Sequence, residues 1–373
     1  MSAYTRLEAM LRLNAVTGLS TKASLKLWER LGMDFLRASD AAVAEAGEIG
    51  LEVASRARSE ARAFDPSGEM ALASKAGARV LCCDDPGYPQ LLREIYDPPL
   101  MLYIRGDADL NAAQTTLAFV GSRRPTQYGL RMAKTLAREA AAAGAVVVSG
   151  LARGIDAQAH AAALEVKGKT WAVLGSGLGR IYPAEHAALA ERIVSSGGAL
   201  ISEWPMQAPP FKGAFPRRNR VVSGLCWGTV VVEGTLKSGS LITARLAIEQ
   251  GREVFAVPGP ADSRLSDAPH LLINEGAKLT CKMADVWGKL PPGVVPSASL
   301  YSADEPLPTE NRPGLSLDQQ KILRCLGPDA RTLDELVLTT GIDLSRLSYI
   351  IFEMELRDLV VSVPGQRYAK KGS

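Results

Sequence analysis

The sequence predicts an α/β fold: a doubly wound, mostly parallel sheet, flanked by a small N-terminal helical domain and a C-terminal winged helix. Three observations carry that prediction. From about residue 115 to 288, short apolar runs alternate with helical stretches. The runs lack polar–apolar alternation, as expected of strands covered on both faces. Glycine, serine and arginine gather directly after them, as at the ligand-binding edge of a Rossmann-like sheet.

In chain order, residues 1–80 read as short helices punctuated by Leu7, Leu11, Val16, Leu25, Leu27 and Leu31. The turn Val16-Thr17-Gly18-Leu19-Ser20 has two readings. It is a helix-hairpin-helix turn offering N–H groups to a DNA phosphate, or the turn of a plain helical packing module. Ser20 stands where that hairpin would have its second glycine. A bridging segment follows, in which Asp85-Pro86-Gly87-Tyr88-Pro89 and Asp97-Pro98-Pro99 stop helices. Leu100–Ile104, directly after the second of these, suits a buried strand. The sheet candidates are Thr116–Val120, Val146–Ser149, Thr170–Leu174, Ala199–Glu203, Thr229–Glu233 and Glu253–Val257, with helices such as Tyr128–Ala143 and Leu241–Gln250 between them. Residues 81–288 thus form the sheet domain. Six prolines over 289–314 predict a solvated, semi-extended linker. Residues 315–373 then read as three helices and a hairpin, the pattern of a winged helix.

Composition narrows the function. The 373 residues have 43 basic against 40 acidic side chains, a net charge of +3, so any basic site must come from local clustering. Aromatics make up 6%, and the cores therefore rely on aliphatic packing. The longest apolar stretch, Ala140–Val148, is far short of the ~20 residues needed to cross a bilayer. Charged residues Arg6, Glu8 and Arg12 occupy the place of a signal peptide's apolar segment, so a cytoplasmic protein is expected. Cys82, Cys83, Cys226, Cys281 and Cys325 form no CxxC and read as reduced thiols. His160, His186 and His270 lie too far apart for metal-ligand spacing, so no metal site is expected.

The strand ends carry the chemistry. They read Gly121-Ser122-Arg123-Arg124, Gly150-Leu151-Ala152-Arg153-Gly154 and Gly175-Ser176-Gly177-Leu178-Gly179-Arg180. Further on come Phe215-Pro216-Arg217-Arg218-Asn219-Arg220 and Gly234-Thr235-Leu236-Lys237-Ser238-Gly239-Ser240. Glycine and serine at helix N-termini expose N–H groups suited to phosphate. The arginines fork onto phosphate oxygens or stack on bases. A single arginine has a second reading, a structural ion pair with Asp156, Glu203 or Glu233; seven on one edge argue for a basic site. Other motifs are missing. Gly168-Lys169-Thr170 imitates a P-loop, but Ala163 stands where its first glycine belongs. No GxGxxG opens the first βα turn and no GxSxG elbow occurs, so no cofactor is expected. Asp156 and His160 share a helix face, and read as a helix-start carboxylate and a structural histidine rather than an acid–base pair.

In that order, Phe119-Val120-Gly121-Ser122-Arg123, Ser149-Gly150-Leu151-Ala152-Arg153-Gly154-Ile155-Asp156, Ala172-Val173-Leu174-Gly175-Ser176-Gly177, Ile201-Ser202-Glu203, Phe215-Pro216-Arg217-Arg218-Asn219-Arg220, Ser238-Gly239-Ser240-Leu241-Ile242-Thr243-Ala244 and Val257-Pro258-Gly259 resemble the DprA/Smf family, the DNA-processing proteins of bacterial natural transformation and competence. The resemblance covers residues 5–288, and the winged helix more loosely. It departs from the family at Gly179, Arg180 and His186, and at Asp267-Ala268-Pro269-His270. It implies a non-enzymatic, dimeric, single-stranded-DNA-binding protein that loads RecA recombinase. The implied DNA contacts are Gly121, Ser122, Arg123, Arg124, Gly150, Arg153, Gly154, Gly175, Gly177, Arg217, Arg218, Asn219, Arg220, Lys237, Ser238, Gly239 and Ser240.

Two alternatives stand beside that reading. One is an enzyme on the same fold, a nucleotide phosphoribohydrolase, which the Val232-Glu233-Gly234-Thr235 turn faintly resembles without its diglycine. The other is a duplex-DNA regulator acting through the winged helix. Its recognition stretch Asp343–Asp358 sets Asp343, Glu353, Glu355 and Asp358 against Arg346 and Arg357, which suits protein contact better than a major groove.

Overall fold

The computed structural model describes residues 5–113, 115–296, 316–326, 330–357, 359–363 and 367–370. The chain divides into two compact units, Met1–Ala303 and Asp304–Ser373.

The first unit opens with helices α1 (Arg6–Asn14), α2 (Thr21–Leu31), α3 (Asp40–Gly47), α4 (Leu51–Ala63) and α5 (Pro66–Lys75). Four of their starts are capped by short oxygen side chains. Thr5, Ser20, Ser39 and Asp65 each accept an N–H of the first turn. The turn before α2 is tied down internally. Glu60 accepts both the Thr17 N–H (2.7 Å) and its hydroxyl (2.8 Å), so a carboxylate already sits where a hairpin would hold a phosphate. Met10, Leu13 and Leu27 share one core with Met101, Tyr103 and Leu200 of the sheet. Complete burial of a leucine such as Leu27 contributes about 1.5–3 kcal/mol.

The sheet strands are β1 (Ala78–Cys82), β2 (Met101–Arg105), β3 (Thr116–Val120), β4 (Val146–Ser149), β5 (Thr170–Val173), β6 (Ala199–Ser202), β7 (Gly228–Val231), β8 (Glu253–Ala256) and β9 (Lys278–Leu279). Their spatial order is β1-β2-β6-β5-β4-β3-β7-β8-β9. From β6 to β9 all neighbours are parallel, while β1 and β2 add antiparallel to the β6 edge. Between the strands lie α6 (Gln90–Arg93), α7 (Gln127–Ala142), α8 (Ile155–Glu165), α9 (Ala187–Ser195), α10 (Ala214–Gly224), α11 (Gly239–Glu249) and α12 (Asp267–Asn274), and α13 (Met283–Trp287) follows β9. The order reverses between β3 and β7. A crevice opens beyond the carboxyl ends of the strands at such a switch point.

Two differences from expectation have plain causes. β1 falls where helices are predicted; it is a half-exposed edge strand whose Arg79 breaks up any apolar run. The predicted linker does not begin at residue 289. Leu290 and Val294 are buried in the core beside Leu117 and Phe255, and the Thr115 hydroxyl bonds to the Val294 carbonyl. The rest of that stretch, 297–314, lies outside the described residues.

The second unit contains α14 (Leu317–Cys325), β10 (Arg331–Thr332), α15 (Leu333–Thr340), α16 (Leu344–Leu356), β11 (Val360–Val363) and β12 (Arg367–Lys370). Capping boxes at Ser316 and Thr332 set two of its helices, and Gly341 ends α15 in the left-handed conformation. The strands form a sheet in the order β10-β12-β11. Ile322, Leu336, Leu347, Ile351 and Met354 fill the core. α16 exposes Tyr349 (68%) and Phe352 (59%), and its Glu353 already bonds Arg357 and Gln319. Asp358, residues 364–366 and Lys371 lie outside the described residues. Among the described residues, no helix is long and apolar enough to cross a membrane.

Candidate nucleic-acid interface

At the switch point lies a cavity of about 640 Å³. Gly121, Ser122 and Arg123 reach it from the end of β3, and Gly150, Ala152 and Asp156 from the end of β4 and the start of α8. Lys212, Phe215, Arg218 and Asn219 come from α10 and the loop before it. Thr235, Ser238, Gly239, Ser240, Ile242 and Thr243 complete it from α11 and its approach. Arg153 and Gly175 line a small recess off the same wall, beside Tyr182.

The floor is main chain at three glycines, beside the buried Arg218. A methyl group at Gly121 would overlap Ile155, one at Gly150 would overlap the Arg218 guanidinium, and one at Gly175 would press on Phe215. Gly154, at φ +76°, lies against the Ser122 carbonyl, and Gly177 against the carbonyls of Pro205 and Met206. Those two glycines serve close packing.

The cationic side chains differ in what they already hold. Arg123 is exposed on the wall, its guanidinium 5.3 Å from the Phe215 ring centre, with Tyr182 beyond at 5.6 Å from that ring. Arg218 is buried at the floor, where it donates to the Val173 carbonyl (2.5 Å). Burial draws its pKa down to about 10 against the opposing pull of Asp156, so it stays charged at neutral pH. Burial raises the Asp156 carboxyl, and the Arg218 charge pulls it back. Lys212 is exposed on the wall. The sequence reading missed it, although it stands three residues before Phe215 in a basic run.

Several expected contacts are spent elsewhere. Arg220 is buried away from the cavity lining: it pairs with Glu203, lies 3.3 Å from Asp97 and donates to Thr21 Oγ1 at 3.2 Å. Arg217 is absent from the cavity lining; its Nε donates to Glu203 (3.2 Å) and its guanidinium covers the Trp204 ring. Arg153 is held by Glu185 through bonds of 2.5 and 2.8 Å. Arg124 and Lys237 are exposed and do not line the cavity. The backbone cradle is also smaller than expected. Gly150 and Ala152 donate their N–H groups to Asp156 (3.1 and 3.4 Å), Gly177 to Ala208 (3.0 Å), and Arg124 to Ser122 Oγ (3.0 Å).

What remains is the start of α11. Ser238 leaves that helix without a side-chain cap, and no acidic residue sits in its first turn. The first-turn N–H groups of an uncapped helix, with the positive end of its dipole, favour an anion. The start of α8, by contrast, is neutralised by its own Asp156. Asn219 steadies α11 by donating to the Gly239 carbonyl (3.3 Å), and Ser238 and Ser240 bond to each other.

Two histidine and glutamate features of the fold are structural. His160 is fully buried, its Nδ1 2.7 Å from Thr170 Oγ1, and burial first, then the Arg218 charge, lowers its pKa to about 3. Glu233 is buried and accepts both the Thr126 N–H (2.9 Å) and hydroxyl (2.5 Å), which ties the loop after β7 to the start of α7.

Comparison with known proteins follows the architecture. The family model for DNA recombination-mediator protein A matches residues 79–291, and that for the DprA winged helix domain matches 306–366. The Smf protein of Escherichia coli is 40% identical over 288 residues, covering 76% of this chain and 75% of that protein. DprA of Bacillus subtilis is 42% identical over 236 residues, covering 63% and 79%. The X-ray structure of DprA from Streptococcus pneumoniae aligns at a TM-score of 0.66 and 34% identity, over 78% of this chain and 99% of that one. A Helicobacter pylori DprA structure that concerns its single-stranded-DNA binding mode aligns at 0.51 and 33% identity, over 56% and 93%. With a winged helix following a sheet whose switch-point cavity is built from the matched segments, the chain belongs to the DNA recombination-mediator protein A (DprA/Smf) family.

Proposed function

We propose that the protein binds single-stranded DNA in the switch-point cavity and delivers the strand to RecA during DNA uptake. One observation carries the cavity reading: Arg123, Lys212, Arg218 and the uncapped start of α11 converge on one space at the reversal of strand order. Phosphates would meet the cations and the helix start, and a base would lie against Phe215 and Tyr182. Such contacts give affinity with little sequence preference, because phosphates carry no base code. The Helicobacter pylori relative supports the choice of ligand. RecA delivery and a homodimer through the sheet domain rest on family membership.

Fluorescence anisotropy with labelled oligo-dT and a matched duplex, each across a salt series, tests this. Preference for the single strand is expected. With about four phosphates neutralised, log affinity falls against log salt with a slope of roughly −3. Salt-insensitive or duplex-preferring binding would sink the reading. RecA delivery is tested by the rate of RecA filament assembly on a strand, with and without the protein.

A further inference from the structure

We propose a second stacking station outside the cavity: Trp204 and Phe211, with Arg217, form a shelf that receives an unpaired base of the strand leaving the cavity. This rests on the cavity being a single-stranded-DNA site. Aromatics are 6% of the chain, yet two aromatic pairs lie along this part of it: Tyr182 with Phe215 in the cavity wall, and Trp204 with Phe211 outside the lining, Phe211 next in sequence to Lys212. The Trp204 and Phe211 rings meet edge to face at 5.0 Å and 77°. The Arg217 guanidinium lies 4.6 Å from the Trp204 ring centre. Phe211 is 47% exposed, folded against Gly213.

Continuity with the cavity comes from one segment. Phe211 adjoins Lys212 of the wall, and Arg217 adjoins Arg218 of the floor. A strand that leaves past Lys212 therefore meets the shelf next. Arg217, which the cavity does not use, supplies a guanidinium face there.

The shelf is held still. Asn14 of α1 donates to the Glu203 carbonyl (3.0 Å), Glu69 of α5 accepts the Met206 N–H (2.6 Å), and Arg220 grips the Glu203 carboxylate. The N-terminal helices thereby fix the loop carrying Trp204. A prearranged surface loses less entropy on binding. Every base has a π-face, so the shelf tolerates any sequence, but a paired base is stacked inside its duplex and cannot present one.

The test uses the full chain and three labelled probes. They are a short dT oligomer of about four nucleotides, one of about twelve, and a twelve-nucleotide strand with abasic sites outside its central four. For the wild type, the abasic strand is expected to bind roughly tenfold more weakly than the full dT strand. Phe211→Ala, at an exposed position, and Trp204→Ala should bind those two strands alike, both at the weaker level, and bind the short oligomer as the wild type does. Trp204→Phe should restore most of the preference. If Phe211→Ala keeps the wild-type preference for the base-bearing strand, the shelf is wrong and its aromatics serve another partner. If Arg123→Ala leaves the short oligomer's binding untouched, the cavity reading has failed instead.

Discussion

Arg220 on α10 and Glu203 at the end of β6 meet in the interior, their side chains 4% and 3% exposed. Asp97 and Thr21 close the same network. It ties α10, the sheet, the bridging segment and α2 together. Removing Arg220 takes from the buried Glu203 its closest counter-charge and leaves it only the partly exposed Arg217. Arg220→Ala should therefore lower the unfolding free energy by about 3–5 kcal/mol. Urea denaturation followed by circular dichroism measures this. Full stability combined with lost DNA binding would return Arg220 to the interface.

Arg123 and Lys212 are the exposed cations of the cavity wall. Arg123→Ala and Lys212→Ala should each weaken binding to all single strands alike. Each should also flatten the log–log salt slope by about 0.7, the share of one phosphate on a single strand. Anisotropy over a salt series at several sequences checks both parts, and a sequence-dependent loss would mean base reading at these positions.

Gly150 leaves no space for a side chain above the Arg218 guanidinium. Gly150→Ala should push Arg218 off the Val173 carbonyl, costing about 1–3 kcal/mol as overpacking does. DNA affinity should fall in the same variant. Melting temperature and anisotropy measured side by side decide it; a variant unchanged in both would show that the floor yields.

His160 gives the protein an acid-side weakness. Its folded pKa of about 3 lies below the ordinary 6.5, chiefly through burial. Between those values the unfolded chain takes up a proton that the folded one refuses, so stability falls as pH drops from 6.5 toward 3. The slope from this group approaches about 1.4 kcal/mol per pH unit. His160→Gln removes that contribution while leaving Asp156 and Arg218 in place. Stability of both proteins measured from pH 7.5 down to 4.5 should therefore converge or cross; parallel curves would refute the assignment.

Much of this was legible in the sequence. Strands β3 to β8 are apolar because helices cover both faces, and runs such as Thr116–Val120 and Val146–Ser149 say so directly. Glycines and arginines after them marked the edge where the cavity opens. Which arginine faces it was not legible. Arg217, Arg218 and Arg220 sit on the helix α10, where residues two apart point about 200° from each other. One helix thus sends them to Trp204, the cavity floor and the interior. Their partners Glu203 and Asp97, like Glu60 under Thr17, come from far along the chain, and no local pattern announces them.

Gly121, Gly150 and Gly175 end three neighbouring strands, and a larger side chain fills the space beside each. Main-chain atoms are the same whatever codon specifies them. Drift in the gene therefore cannot retune the glycine part of the base on which a strand would rest; it can only abolish it. Adaptation to a different strand must be written in the surrounding positions, such as Tyr182, Lys212 and Ile242. Among descendants of this protein, diversity would accumulate around an invariant centre.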